Sequence, residues 1–187
     1  MTVTDVNVVK SAIFERPDDA NKGTLGSLLC VCGSYGMAGA AVMSAKGALR
    51  TGIGLAKCAL PRSIYPIVAQ TILESVYYSL NENADGRISK VNVPFLVSES
   101  CKSSATLVGC GLGVCDDTLK IVFSLIENST TPLVLDADAL NCVAKQPEIL
   151  LRKKAPIIIT PHPGEMSRLT GLATPLVNAE RERVALD

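Results

Sequence analysis

Short unbroken apolar runs, each stopped by glycine, proline or a polar residue and followed by a stretch able to coil as a helix, recur along this chain. SLLCVC at 27–32 runs into Gly33, ATLV at 105–108 into Gly109, PLVL at 132–135 into Asp136 and PIII at 156–159 into Thr160. Runs of this length with no polar alternation are strands buried on both faces, and strands alternating with helices build a mainly parallel sheet with helices on both of its faces. The fold class is therefore α/β. The pattern predicts further strands over 54–60 and 73–78, and helices over 38–51, 64–69 (or a turn), 116–128, 139–144 and 178–187. Asp116 or Asp117 is the expected cap of the helix at 116–128, residues 81–89 read as a polar turn, and Pro94 leaves 91–98 readable either way.

With 187 residues the chain is most simply one domain, 1–187, and no repeat, linker or low-complexity tract divides it. Eighteen Lys and Arg balance eighteen Asp and Glu, and no basic cluster is long enough to follow a phosphate backbone. There is no Trp to stack on bases, so nucleic acid is not the expected partner. The first ten residues carry an acid and no apolar core, and the longest apolar stretches are broken by Lys46, Arg50 and Lys57. Neither export nor membrane insertion is expected, which leaves the cytoplasm. Seven cysteines, at 30, 32, 58, 101, 110, 115 and 142, lack Cys-x-x-Cys spacing and share the chain with one histidine. They read as reduced, small core residues, and no metal ligand set is expected.

Four polar or glycine-rich segments follow four of the strands: GSYGMAG at 33–39, GCGLG at 109–113, DADALN at 136–141 and TPHPGE at 160–165. In a parallel sheet all four stand at the carboxyl edge, where open α/β sheets bind ligands. Any one alone reads as a tight turn or a helix cap. Four at one edge predict a crevice, with backbone N–H groups that suit phosphate oxygens. The first segment is not a P-loop, since no Gly-Lys-Ser/Thr follows it, and no Gly-x-Gly-x-x-Gly fingerprint follows the first strand. A Gly-x-Ser-x-Gly nucleophile elbow is also absent. The single histidine, His162, sits between Pro161 and Pro163 on a stiffened turn at the same edge.

Together these stretches resemble the ADP/ATP-dependent NAD(P)H-hydrate dehydratase family of the ribokinase-like superfamily. The resemblance runs from about Arg16 to the end, through RPDDANKGTLGSLLCVCGSYGMAGAAVMSAKGALRTGIGL, LVGCGLG, PLVLDADALN and PIIITPHPGEMSRLTG. It implies a ribokinase-like fold and a repair reaction: NADH or NADPH hydrated at ring carbon 6, in its S epimer, is restored at the expense of ADP or ATP, with Mg2+ accompanying the nucleotide. On that model the Gly36-Met37-Ala38-Gly39-Ala40 turn, with Ala40, lies against the hydrated nicotinamide, and Gly111 and Gly113 approach the same substrate. Asp136 and Asn141 match the acid and amide that hydrogen-bond ribose or carboxamide, and His162 matches the histidine that donates to a phosphate or to the nicotinamide ribose. Cys110 stands where the family usually has proline. Relatives often assemble, so a homo-oligomer is an expectation as well.

The family places its phosphoryl donor on a Lys-Gly-x-x-Thr segment and its catalytic aspartate in a Gly-Ser/Thr-Gly-Asp loop, both downstream of Thr-Pro-His. Neither occurs in residues 1–187. The resemblance thus covers about the first two thirds of the family domain, an incomplete C-terminal end is expected of the sheet, and no catalytic residue is assigned. Two alternatives stand beside the enzyme: a non-catalytic remnant or dinucleotide-binding module, and a small-molecule kinase of the same superfamily. The kinase reading is weakened because such kinases do not share Thr-Pro-His-x-Gly-Glu.

Overall fold

A computed structural model describes residues 5–7 and 17–186; the readings made at Arg16, Asp187 and most of the first ten residues lie outside them. Six parallel strands form one sheet in the order β3-β2-β1-β4-β5-β6, with β1 at Ser27–Val31, β2 at Leu55–Pro61, β3 at Val76–Leu80, β4 at Ala105–Val108, β5 at Leu133–Leu135 and β6 at Ile157–Ile159. The chain moves outward from β1 in one direction as far as β3, then returns to place β4 on the other side of β1. The β1–β4 seam is thus the topological switch point.

Alternate side chains of each strand go to opposite faces. In register across the sheet, Cys58, Cys30, Leu107, Val134 and Ile158 form a row on one face. Helices α1 (Ala38–Arg50) and α2 (Tyr65–Thr71) cover its first half, with Ala41, Ala45, Ile64 and Val68 buried against Cys30, Cys58 and Leu60. Small residues at 41 and 45 lie on one stripe and let α1 approach the strands closely. The far half is open: Val134 is half-buried and Ile158 is 60% exposed. The opposite face carries the larger core, where Leu29, Val31, Val108, Leu133 and Leu135 meet α3 (Val93–Cys101), α4 (Asp116–Asn128) and α5 (Asp138–Val143). Thr118, Ile121, Val122 and Leu125 form the buried stripe of α4, while Asp116 and Asp117 face the positive end of its dipole.

Several boundaries differ from the sequence reading, each for a local reason. Residues 93–101 are helical because Pro94 falls in the first turn of α3, where no N–H is needed. The N-cap of α4 is Cys115, with both aspartates inside the first turn. The strand expected at 73–78 begins at Val76: α2 runs on to Thr71, Ile72 plugs the core, and Leu73 turns out to solvent. α6 begins at Pro163, directly after the His162 turn, and ends at Thr170 before left-handed Gly171. The helix expected at 178–187 is two short ones, α7 at Thr174–Ala179 and α8 at Arg181–Leu186, parted where Glu180 leaves helical geometry.

Candidate functional site at the carboxyl edge of the sheet

The four motif segments all emerge at the carboxyl edge, and two of them interlock across the switch point. After β1, Met37 N–H closes a β-turn onto Ser34 O at 2.8 Å, which places Gly36 at φ 81°. After β4, Leu112 N–H closes a second turn onto Gly109 O at 3.2 Å, with Gly111 at φ 70°. Gly33 N–H donates to Cys110 O (2.8 Å) and Ser34 Oγ–H to Gly111 O (2.8 Å), so each turn supports the other. At their meeting point a β-carbon on Gly111 would lie 2.8 Å from Cβ of Ala40 and 3.1 Å from Cβ of Met37. Gly111, Met37 and Ala40 are therefore brought together at one point of the seam. Gly111 is buried behind Ala40, while Gly36, Met37 and Gly39 face solvent.

α1 opens on this seam without a side-chain cap and with no acid in its first turn. The other helices that start at this part of the edge are already supplied: α4 by Asp116 and Asp117, α5 by Asp138 and α6 by His162. The unshielded positive end of α1 makes it the place along these loops where an anionic or carbonyl oxygen is favoured.

Two polar chains tie the remaining loops together. In the first, Asp136 accepts from Thr160 Oγ1 (2.9 Å) and from Cys110 Sγ (3.5 Å), joining the turns after β4, β5 and β6. In the second, Gly113 N–H donates to Asp138 Oδ2 (2.8 Å), Asn141 Nδ2 to Asp138 Oδ1 (3.3 Å), and Arg168 Nε to Asn141 Oδ1 (2.8 Å). Asp136, Gly113 and Asn141 thus sit at the predicted edge, with their polar groups engaged within the protein. Ala137, between the two acids, holds φ 50°, the one positive value at a non-glycine residue among those described. Strain of this kind collects at sites where neighbouring loops dictate the backbone.

His162 is the N-cap of α6. Its Nδ1 accepts from Gly164 N–H (3.0 Å), Nε2 lies 3.1 Å from Glu165 Oε1, and its backbone N–H donates to Glu165 Oε2 (2.9 Å). These partners place the ring proton on Nε2. The imidazole is 62% exposed, yet its Nδ1 and the backbone N–H of the same residue serve a reciprocal capping box with buried Glu165, whose carboxylate also stands beside Nε2. Sequence reasoning missed this role, although Glu165 three residues after His162 was the signal for it. Ser34, Thr160 and Arg168 lie inside the quoted segments but were given no role, because spacing along the chain does not say which loop each side chain meets. Among the described residues no group of three or more His, Cys, Asp or Glu is placed to hold a metal ion. A cavity of about 440 Å³, bounded by Ile159, Thr160, Pro163, Met166, Val177 and Arg181, opens beside the His162 turn, away from the seam.

A family model for NAD(P)H-hydrate dehydratase matches residues 28–186. The chain belongs to the NAD(P)H-hydrate dehydratase family. Among curated relatives, the bifunctional NAD(P)H-hydrate repair enzyme of Thermofilum pendens is 37% identical over 92% of this chain and 33% of its own length. The ADP-dependent (S)-NAD(P)H-hydrate dehydratase of Neisseria meningitidis is 32% identical over 89% of this chain and 53% of its own. Among solved structures, the ADP/ATP-dependent NAD(P)H-hydrate dehydratase of Bacillus subtilis, co-crystallised with ATP and Mg2+, superposes with a TM-score of 0.75 at 27% identity, over 96% of this chain and 59% of that one. A ribokinase-like superfamily protein of Enterococcus faecalis gives 0.74 at 20% identity, over 93% of this chain and 59% of that one. The fold is ribokinase-like, and the chain spans a third to about three fifths of these relatives. No helix among the described residues is long and apolar enough to cross a membrane.

Proposed function

We propose that this chain supplies the nicotinamide-facing part of an ADP-dependent dehydratase that returns the S epimer of hydrated NADH or NADPH to NAD(P)H. The observation that carries this reading is the seam itself: two glycine turns bonded to each other beneath the uncapped start of α1, with Ala40, Met37 and glycines lining the approach. Small side chains leave room for a puckered ring, and free N–H groups at a helix start suit its carboxamide or the neighbouring phosphates. Ala40, Gly36, Met37 and Gly39 would face the ring, with Gly111 and Gly113 forming the floor behind them. Asp136 and Asn141 would present their remaining acceptor and donor capacity to ribose or carboxamide. His162 reaches a substrate oxygen by transferring its Nε2–H from Glu165.

ADP or ATP with Mg2+ would supply the phosphoryl group that turns the ring hydroxyl into a leaving group. The described residues do not suit that role, because Asp136 and Asp138 are occupied by protein donors and no metal-holding cluster accompanies them. The donor therefore belongs with the Lys-Gly-x-x-Thr and Gly-Ser/Thr-Gly-Asp segments of the family. We read residues 1–187 as one ribokinase-like domain covering about the first two thirds of the family's, working in the cytoplasm and able to assemble with its own copies.

The occupied carboxylates favour a second reading, binding without turnover by these 187 residues alone. One experiment separates the two. Hydrated NADH is titrated into the chain by calorimetry, and NADH absorbance is followed after ADP and Mg2+ are added. Saturable heat with recovered absorbance supports the dehydratase, and saturable heat without it supports the binding module. Absence of both overturns the assignment of the seam.

A further inference from the structure

Two thiols stand at the seam: Cys110, which donates to Asp136, and Cys32. Gly109 N–H donates to Val31 O (3.2 Å) and Gly33 N–H to Cys110 O (2.8 Å), so Cys32 is held between two inter-strand bonds, beside Gly109 and Cys110. Cys32 and Cys110 are offset by one residue across neighbouring strands, which lie about 4.8 Å apart, and a disulfide spans roughly 4.4–6.8 Å between α-carbons. Both side chains point to the α1 face, where Cys110 packs against the cluster containing Cys32. Ser44 of α1 stands beside both thiols, and the Cys110 thiol also donates to Asp136 Oδ2 (3.5 Å).

We propose that Cys110 is a thiol–disulfide exchange site with Cys32 as its resolving partner, so that a small-molecule disulfide closes a Cys32–Cys110 bridge across the β1–β4 seam. Cys32 is fully buried and Cys110 only half so, which lets an external disulfide meet Cys110 first and leaves Cys32 no sulfur to attack but that of Cys110. The Cys32 thiol, donating to Cys110, holds the Cys110 thiol below its ordinary value against burial and the nearby Asp136 carboxylate. The same contact, with complete burial, pushes Cys32 up, as suits a thiol that reacts second.

The exchange balances. The Cys110 thiolate forms a bond to one sulfur of the reagent, whose S–S bond breaks and releases one thiolate. Cys32 then gives up its proton to that thiolate, attacks the Cys110 sulfur and expels the second half of the reagent. Two protein thiols are oxidised and one disulfide is reduced to two thiols. Cys30 and Cys58, also cross-strand neighbours, lie under α1 and α2 with both thiols raised by burial, and serve as internal controls.

The test is oxidised glutathione added to the reduced chain in native buffer and, in parallel, in urea, followed by intact mass and peptide mapping. In native buffer a transient glutathione adduct on Cys110 should give way to a Cys32–Cys110 peptide and a mass lower by two hydrogens, with Cys110 reacting at least about tenfold faster than Cys30 or Cys58. In urea that preference should vanish. Cys32→Ser should trap the adduct on Cys110. If that variant does not fold, the wild-type map in the two buffers decides. An adduct that persists on Cys110 of the wild-type chain, a native pattern equal to the urea pattern, or modification of Cys101 and Cys115 with Cys110 untouched would each overturn the proposal.

Discussion

The α-carbon of Gly109 rests so closely on the carbonyl oxygen of Asp136 that a β-carbon there would occupy the same space. Backbone would meet backbone, and Gly109 also holds φ 127°, which side-chain-bearing residues avoid. Gly109→Ala should therefore cost on the order of 3 kcal/mol or more, a loss typical of strain at a special backbone position. Urea unfolding of the two proteins measures it, and a cost below about 1 kcal/mol would mean that the β4 and β5 loops separate easily.

His162→Ala removes a helix cap, so it should lower stability by about 1 kcal/mol. Asn at 162 caps nearly as well, and His162→Asn should restore most of that loss. If affinity for hydrated NADH falls in both variants while stability falls only in the first, the ring acts on the ligand and not merely on α6. Parallel urea and calorimetric series resolve the two effects.

Gly39 does not hold a positive φ, so a side chain there carries no left-handed backbone cost; that constraint belongs to Gly36. Nothing stands within 4 Å of an added β-carbon in the first turn of α1. Gly39→Ala should raise stability by about 0.5–1 kcal/mol, as expected for glycine replaced in a helix. Gly39→Val should weaken dinucleotide binding by filling the same open space. Stability gained with affinity lost is the expected pair of results, read by thermal melting and titration.

Glu99 lies almost buried under Tyr78 and Lys102. The hydrogen bond from Lys102 holds its carboxyl below the ordinary 4.5, aided by Tyr78 and Lys57 and opposed by burial. In the unfolded chain the group regains the higher value, so the unfolded state binds more protons in the window just below 4.5. The stabilisation is complete above that window and is lost as pH falls through the folded value. Glu99→Gln should flatten this part of the stability curve, and equal slopes for variant and wild type from about pH 5 to pH 3 would show that Glu99 contributes none of it.

Ile158 exposes an apolar side chain on the edge strand, in line with half-buried Val134 and Leu107. An open strand edge beside an apolar face promotes pairing between chains. Ile158→Lys should shift the chain toward monomer, and sedimentation at several concentrations would show it.

The sheet was legible because every strand but β3 is a nearly unbroken apolar run placed between turn residues. β3 was misplaced because Ile72 and Leu73 look alike in sequence, yet one plugs the core and the other faces water. Pro94 obscured α3 only until its position in the first helical turn was known. The convergence of four loops was readable from their common place after strands. What each polar group does there was not: the occupied carboxylates of Asp136 and Asp138 depend on distances between loops that no spacing along the chain encodes. His162 sits between, since its capping box is local and its Glu165 partner was in plain view.

Strand neighbours in this sheet follow one another in the chain everywhere except at β1 and β4, where Ser34 and Gly111 are 77 positions apart. Loop closure at that join is the most demanding step in assembly, because two separately formed blocks must meet before any bond across it is made. β1 to β3 with α1 and α2 can coalesce as they leave the ribosome, and β4 to β6 can add one after another once β4 is docked. A partly folded chain therefore has no binding crevice, and recovery of dinucleotide affinity during refolding should coincide with the slowest phase of sheet formation.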